Sequence, residues 1–161
     1  MKNSRLFIFI VFTMLCACNF SKGVKKDLTT GLSASYNGFA VTDIFLADNS
    51  DNRLSNNKIP LGSAIKIIAD GVENYTVKEG RVFPGCSIWL TSKDGKELLF
   101  VPDAFSDLKD GKVQNEARAL KALLTTGEPM VAGETYHFKA VFFDKLKKEN
   151  TITAEVDLQM Q

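Results

Sequence analysis

The chain predicts an all-β fold: an antiparallel β-sandwich of two sheets, with seven to eight strands, behind an N-terminal signal peptide. Three observations carry this prediction. Apolar and polar residues alternate with period two over much of residues 28–161, which sends successive side chains to opposite faces of a sheet. Turn-forming residues recur at intervals of roughly 8–20 residues, the punctuation of an all-β domain. Asp94-Gly95 sits between two such runs, and Asp-Gly supplies the positive φ angles that a tight hairpin turn demands.

Residues 1–17 come first. Lys2 and Arg5 precede the apolar run Leu6 to Phe12, which continues through Leu15-Cys16-Ala17-Cys18. A basic start, a short apolar stretch and small residues before a cut point make a secretory signal. Its core of about ten residues would reach roughly 15 Å as a helix, half the hydrocarbon thickness of a bilayer. Leu15-Cys16-Ala17-Cys18 resembles the lipobox of bacterial lipoproteins. That resemblance implies cleavage before Cys18 and lipidation of Cys18, with several acyl chains on one residue. Two or more chains give stable membrane anchoring where one is marginal. By the same resemblance, Asn19 in place of Asp argues against retention at the inner membrane. The absence of an acidic cluster in Asn19-Phe20-Ser21-Lys22-Gly23 argues against export to the cell surface. The implied location is the outer membrane, lipid-anchored and facing the periplasm.

Residues 18–27 then read as the lipidated cysteine and a polar tether, reaching roughly 15–18 Å if flexible, and residues 28–161 as the sandwich. Leu28 to Ser35, Phe39 to Ala47 and Ala64 to Asp70 are the first strands. Phe39 to Leu46 is apolar on both parities, which predicts a central strand. Asp48 to Asn57, rich in Asn, Asp and Ser, is an exposed loop. Val82 to Thr91 places Cys86, Ile88 and Leu90 opposite Ser87, Trp89 and Thr91, and pairs with Glu97 to Val101 across Lys93-Asp94-Gly95-Lys96. Ala117 to Thr125 has helix-favouring composition, but Gly127, Pro129 and Gly133 around it are strand-and-turn punctuation. Its state stays open between the two, with strand preferred. Tyr136, Phe138, Ala140 and Phe142 share a face, as do Ile152, Ala154, Val156, Leu158 and Met160. Asp144 to Asn150 reads as a long loop between these two strands.

Seven to eight strands at this spacing suit two stacked sheets with an immunoglobulin-like topology. Gly127 to Asp144 resembles the penultimate strand of bacterial immunoglobulin-like modules, in which a Gly-x-x-Tyr turn leads into a strand ending at Asp. As a whole the chain resembles small lipoproteins of the Bacteroidetes with an immunoglobulin-like β-sandwich.

Charge excludes one class of partner. Loss of Lys2 and Arg5 takes the 20 basic residues to 18, against 19 acidic, which leaves no basic excess for nucleic acid. Of the three cysteines only Cys86 remains for the domain, so no internal disulfide can form. Catalysis has little to work with. His137 is the single histidine, which rules out histidine clusters for zinc. A Cys86–His137 pair is the one nucleophile to weigh, and Cys86 shares its parity with Ile88 and Leu90, where a thiol is an inert core residue. Asp48-Asn49-Ser50-Asp51-Asn52 begins like a calcium loop but lacks the glycine and the closing glutamate. No metal and no cofactor is therefore expected, and no enzyme.

Trp89 is the residue most suggestive of binding. Its parity opposes the aliphatic set, so it is displayed on a sheet surface as a hot spot, or it caps the core or is covered by the loop Asp103 to Asn115. Phe100 and Phe105 lie near the same hairpin and complete the candidate partner-binding set. The function these features support is a lipid-anchored, non-enzymatic module of the cell envelope that binds a protein or carbohydrate partner. The alternative is a structural accessory lipoprotein of a larger secretion or transport assembly.

Overall fold

The computed structural model describes residues 21–161; the segment expected to be a signal peptide and the expected lipidation site Cys18 lie outside the described residues. The architecture is all-β. Two sheets enclose one core.

The large sheet has the order β1-β2-β12-β11-β7-β8, and the small sheet the order β10-β5-β3. The large sheet comprises β1 (Lys22–Lys26), β2 (Ser33–Asn37), β7 (Pro84–Ser92), β8 (Glu97–Val101), β11 (Thr135–Asp144) and β12 (Lys147–Met160). The small sheet holds β3 (Asp43–Asp48), β5 (Ala64–Asp70) and β10 (Ala119–Thr125). Placing β3, β5 and β10 on one side and β7, β8, β11 and β12 on the other is the immunoglobulin-like connectivity. Three strands of two residues complete the set. β6 (Arg81–Val82) pairs with β9 (Lys112–Val113), and β4 (Lys58–Ile59) lies parallel to the end of β12. That is the one departure from antiparallel pairing between the named strands.

The alternation predicts the buried faces of the long strands correctly. Ile152, Ala154, Val156, Leu158 and Met160 are all buried, as are Tyr136, Phe138, Ala140, Phe142, Cys86, Ile88 and Leu90. Across the core they meet Ile44 and Leu46 of β3, Ile65 and Ile67 of β5, and Leu120 and Leu124 of β10. A fully buried Leu, Ile or Phe contributes about 1.5–3 kcal/mol each, so these rows are where the fold is held. Ala119–Thr125 resolves as strand. Its burial alternates residue by residue, because pairing with β5 along its full length outweighs helix propensity. Gln114–Ala117 before it forms one turn of 3-10 helix.

Several expectations need correction. The tether is not a tether from Lys22 onward: Lys22–Lys26 is β1, an edge strand paired with β2. Lys-Gly-Val-Lys-Lys carries no alternating pattern because this edge is ordered by backbone hydrogen bonds and by a turn centred on Asp27. There Asp27 Oδ1 accepts from Thr29 N (2.9 Å), and Gly31 N donates to Asp27 O (2.8 Å). Gly23 lies beneath Tyr36, where any Cβ would meet its hydroxyl oxygen at 2.2 Å. The same turn delays the next strand, which begins at Ser33 rather than Leu28; Leu28 is 92% exposed.

The span from Phe39 is not a central strand. β3 begins at Asp43 and lies at the edge of its sheet. Its apolar outer residue Phe45 is instead covered by Arg53, whose guanidinium sits 4.3 Å from the ring. Phe39 is buried before the strand, edge-on to Tyr75 at 4.9 Å.

Val82 to Thr91 is two strands, broken at Phe83, because Val82 pairs with Lys112 while Pro84 opens β7. The loop expected from Asp144 to Asn150 shrinks to Lys145-Leu146. Asp144 closes that turn from inside: its Oδ1 accepts from Leu146 N at 2.9 Å and its Oδ2 from Thr76 N at 2.7 Å. With β1 added, nine strands of five or more residues are present among the described residues, against the seven to eight predicted.

Candidate functional site

The two outer faces of the sandwich differ in kind. On the small sheet, residues 48–53 fold back as a cover. Asp51 takes Lys66 Nζ at 2.7 Å and Lys121 Nζ at 2.6 Å, and Lys121 and Lys66 together hold its carboxyl below the usual range. Arg53 pairs with Asp43. The acidic loop that begins like a calcium site thus spends its oxygens internally. Asp48 Oδ1 accepts from Ser50 N (2.7 Å) and Asn52 N (2.9 Å), and its Oδ2 from Asn52 Nδ2 (3.0 Å). Among the described residues no group of three or more His, Cys, Asp or Glu converges as a metal site would require.

Among the described residues no comparable loop folds over the outer face of the large sheet. Strand register places Phe100, Trp89, Lys139, Glu155, Ser33 and Lys26 in one row across six strands. Directly opposed side chains on one sheet face interact across strands. Trp89 and Phe100 stack with centroids 5.0 Å apart and planes at 26°, and Lys139 Nζ lies 5.8 Å from the indole. Stacked aromatic pairs and cation–π contacts each contribute about 0.5–1.5 kcal/mol. Phe100 keeps 46% of its surface exposed, and Trp89 is half-buried. In the next row His137 Nδ1 lies 2.9 Å from Asp157 Oδ1, and its Nε2 lies 3.6 Å from Glu155 Oε2. Val141, Ser87 and Thr153 fill the row on the other side.

Of the three aromatics singled out from sequence, two come together and one does not. Trp89 is on the outer face with Phe100. The loop Asp103 to Asn115, one alternative cover for it, turns the other way, because Phe105 stacks on the buried Phe142 at 6.4 Å and packs against the core. Asp103 holds this loop. Burial pushes its carboxyl up, but the Lys145 ammonium (2.7 Å) and the amides of Cys86 (3.1 Å) and Phe105 (2.9 Å) outweigh that and bring it below the usual range. Phe105 instead lines a cleft of about 570 Å³ between this loop and β10, together with Pro84, Leu108, Leu120 and the charged Asp107, Lys112, Glu116 and Lys121. The sequence reading missed this cleft. Its walls are contributed by segments far apart in the chain, and no local pattern marks them.

Cys86 and His137 are on opposite faces of the large sheet. Cys86 is fully buried opposite Phe142, whereas His137 faces outward opposite Thr91. Burial, with a smaller push from the Asp103 charge, raises the Cys86 thiol to about 12, far from a reactive thiolate.

No protein-family model matches the chain, and no characterised protein matches it in sequence. Among solved structures it is similar to the soluble domain of PmoD from Methylocystis sp. ATCC 49242 (Rockwell). The identity is 8%, the TM-score 0.38, and the match covers 86% of this chain and 96% of that one. A likeness of that degree carries no functional argument.

Proposed function

We propose that this chain is a lipid-anchored module of the cell envelope that binds a protein partner through the outer face of its large sheet and catalyses no reaction. The observation that carries the reading is the Phe100–Trp89–Lys139 row. Tryptophan beside a second aromatic on an uncovered sheet face is the composition of an interface hot spot. Between a protein and a carbohydrate partner, ring geometry favours the protein. Phe100 stacks on the indole and Lys139 approaches it from the neighbouring strand, which leaves little open ring face for a sugar to lie on. The non-catalytic half of the reading is supported by the placement of Cys86 and His137 on opposite faces. The anchor rests on Leu15-Cys16-Ala17-Cys18. An outer-membrane position facing the periplasm is what the lipoprotein resemblance implies from Asn19 and the residues after it.

Two variants test the two halves separately. Cys18→Ser is expected to leave an unprocessed or soluble chain that no longer enters the detergent phase; recovery there equal to the unaltered chain would end the lipoprotein reading. Trp89→Ala is expected to weaken capture of the partner crosslinked in intact envelopes by about 2 kcal/mol or more, roughly thirtyfold, with little change in melting temperature. Unchanged capture, or a large loss of stability in its place, would take Trp89 out of the binding face.

A further inference from the structure

Among the described residues strand β10 has a single neighbour, β5, and the cleft beside Phe105 runs along its Ala119, Leu120 and Lys121. The ladder decides which backbone groups of β10 are left over. Thr126 N donates to Ser63 O at 2.8 Å, in the register that pairs Leu124 with Ile65, Ala122 with Ile67 and Leu120 with Ala69. In an antiparallel pair, residues that exchange both hydrogen bonds alternate with residues whose N–H and C=O point away. Ala119, Lys121, Leu123 and Thr125 therefore aim their backbone groups at the free edge.

The other sheet edges are managed or short. β1 carries Lys22, Lys25 and Lys26, a common device against edge pairing. The edge of β3 is taken by the segment after its loop, where Leu54 N donates to Leu46 O at 2.9 Å. On β8, Lys145 N donating to Phe83 O commits the odd residues of β7 to β11 and the even ones to β8. That leaves Phe100 as the outward residue in the regular part of the β8 ladder, next to the bulge at Leu90/Thr91. Among the described residues β10 offers the longest unpaired edge.

We propose that β10 accepts an extended, uncharged segment of a partner polypeptide as an added strand, with one apolar side chain of that segment seated in the cleft against Phe105, Leu108 and Leu120. A row of alternating donors and acceptors is complementary to another extended backbone, and pockets for alternate side chains supply specificity in this mode of recognition. The cleft lies on the inward side of the edge, where every second side chain of an added strand points. Phe105, Leu108 and Leu120 form its apolar wall and Lys121 is already committed to Asp51, so a charged side chain entering there would be desolvated without a partner, which favours an uncharged segment. This edge is separate from the Trp89 face and does not depend on it.

Residue-resolved hydrogen exchange on the full chain tests the proposal, with and without the peptide acetyl-Thr-Val-Thr-Leu-Thr-Val-Thr-amide, equal in length to the seven residues of β10. In the free chain the amides of Lys121, Leu123 and Thr125 exchange fast while those of Ala122 and Leu124 are protected. The peptide slows the outward set by about tenfold or more. Leu123→Pro removes one outward N–H without touching the β5 ladder, a position where an edge strand tolerates proline, and abolishes the response. Two peptides N-methylated at odd or at even positions repeat the test on the unaltered chain, and one of them must lose the effect. Outward amides already protected in the free chain overturn the proposal, as do a parent peptide without effect and methylated peptides that both act normally. Protection that grows with protein concentration alone assigns the edge to a second copy and overturns it as well.

Discussion

Phe142→Ala is expected to lower folding stability by about 3–5 kcal/mol, the range for removing a phenyl ring from a packed core. Phe142 is fully buried in β11, opposite Cys86 on β7 and Ile152 on β12. It is also the ring on which Phe105 stacks. Truncation would open a void that β-sheet neighbours on both sides cannot close, since their backbones are fixed by the ladder. The loop held by Phe105 would loosen with it. Urea unfolding of Phe142→Ala beside Phe143→Ala makes the measurement specific. Phe143 is one residue away on the outer face, lying over Gly85, and its loss should cost clearly less. Equal losses for the two variants would show that the inward and outward faces of β11 are wrongly assigned.

Asp144→Ala is expected to cost about 2–4 kcal/mol, since each buried amide left without an acceptor costs about 1–3 kcal/mol. The carboxylate is completely buried and accepts from Thr76 N and Leu146 N. It thereby ties the segment around Tyr75 to the β11–β12 hairpin, beside Asn150, whose Nδ2 donates to Asn74 O at 3.1 Å. Tyr75 belongs to the same corner: burial and the Asp144 charge both push its phenol up, and its hydroxyl donates to Ala117 O at 2.9 Å. Asp144→Asn keeps one acceptor oxygen and should retain part of the stability. Unfolding midpoints for both variants equal to that of the unaltered chain would mean that these amides find other acceptors.

The long strands were legible because each buries one face and wets the other. Ile152 to Met160 and Tyr136 to Phe142 carry their assignment in every second residue, and Asp94-Gly95 marks its hairpin by the angles it permits; Gly95 adopts φ +80°. That Trp89 lies on the parity opposite Cys86, Ile88 and Leu90 followed from the same alternation; that this parity stands open with Phe100 did not. Edges and turns were not legible in this way. β1 presents little apolar surface to mark it, and the Asp144 turn is shortened by an acceptor whose donor, Thr76, is remote in sequence.

The sequence by itself determined the all-β class, the inward faces of the principal strands, the parity of Trp89 opposite to its aliphatic neighbours and the motif around Cys18. Each of these is written in residues adjacent to one another, where side-chain alternation or a contiguous motif is enough. Tertiary structure alone decided that Phe100 joins Trp89 while Phe105 turns to the core. It also decided that Asp51 ties its loop to Lys66 and Lys121 of the small sheet and that β10 is left with a free edge beside a cleft. Those outcomes depend on which strands become neighbours. Neighbour choice is set by the packing of whole faces across the core, a quantity that no local stretch of the chain contains.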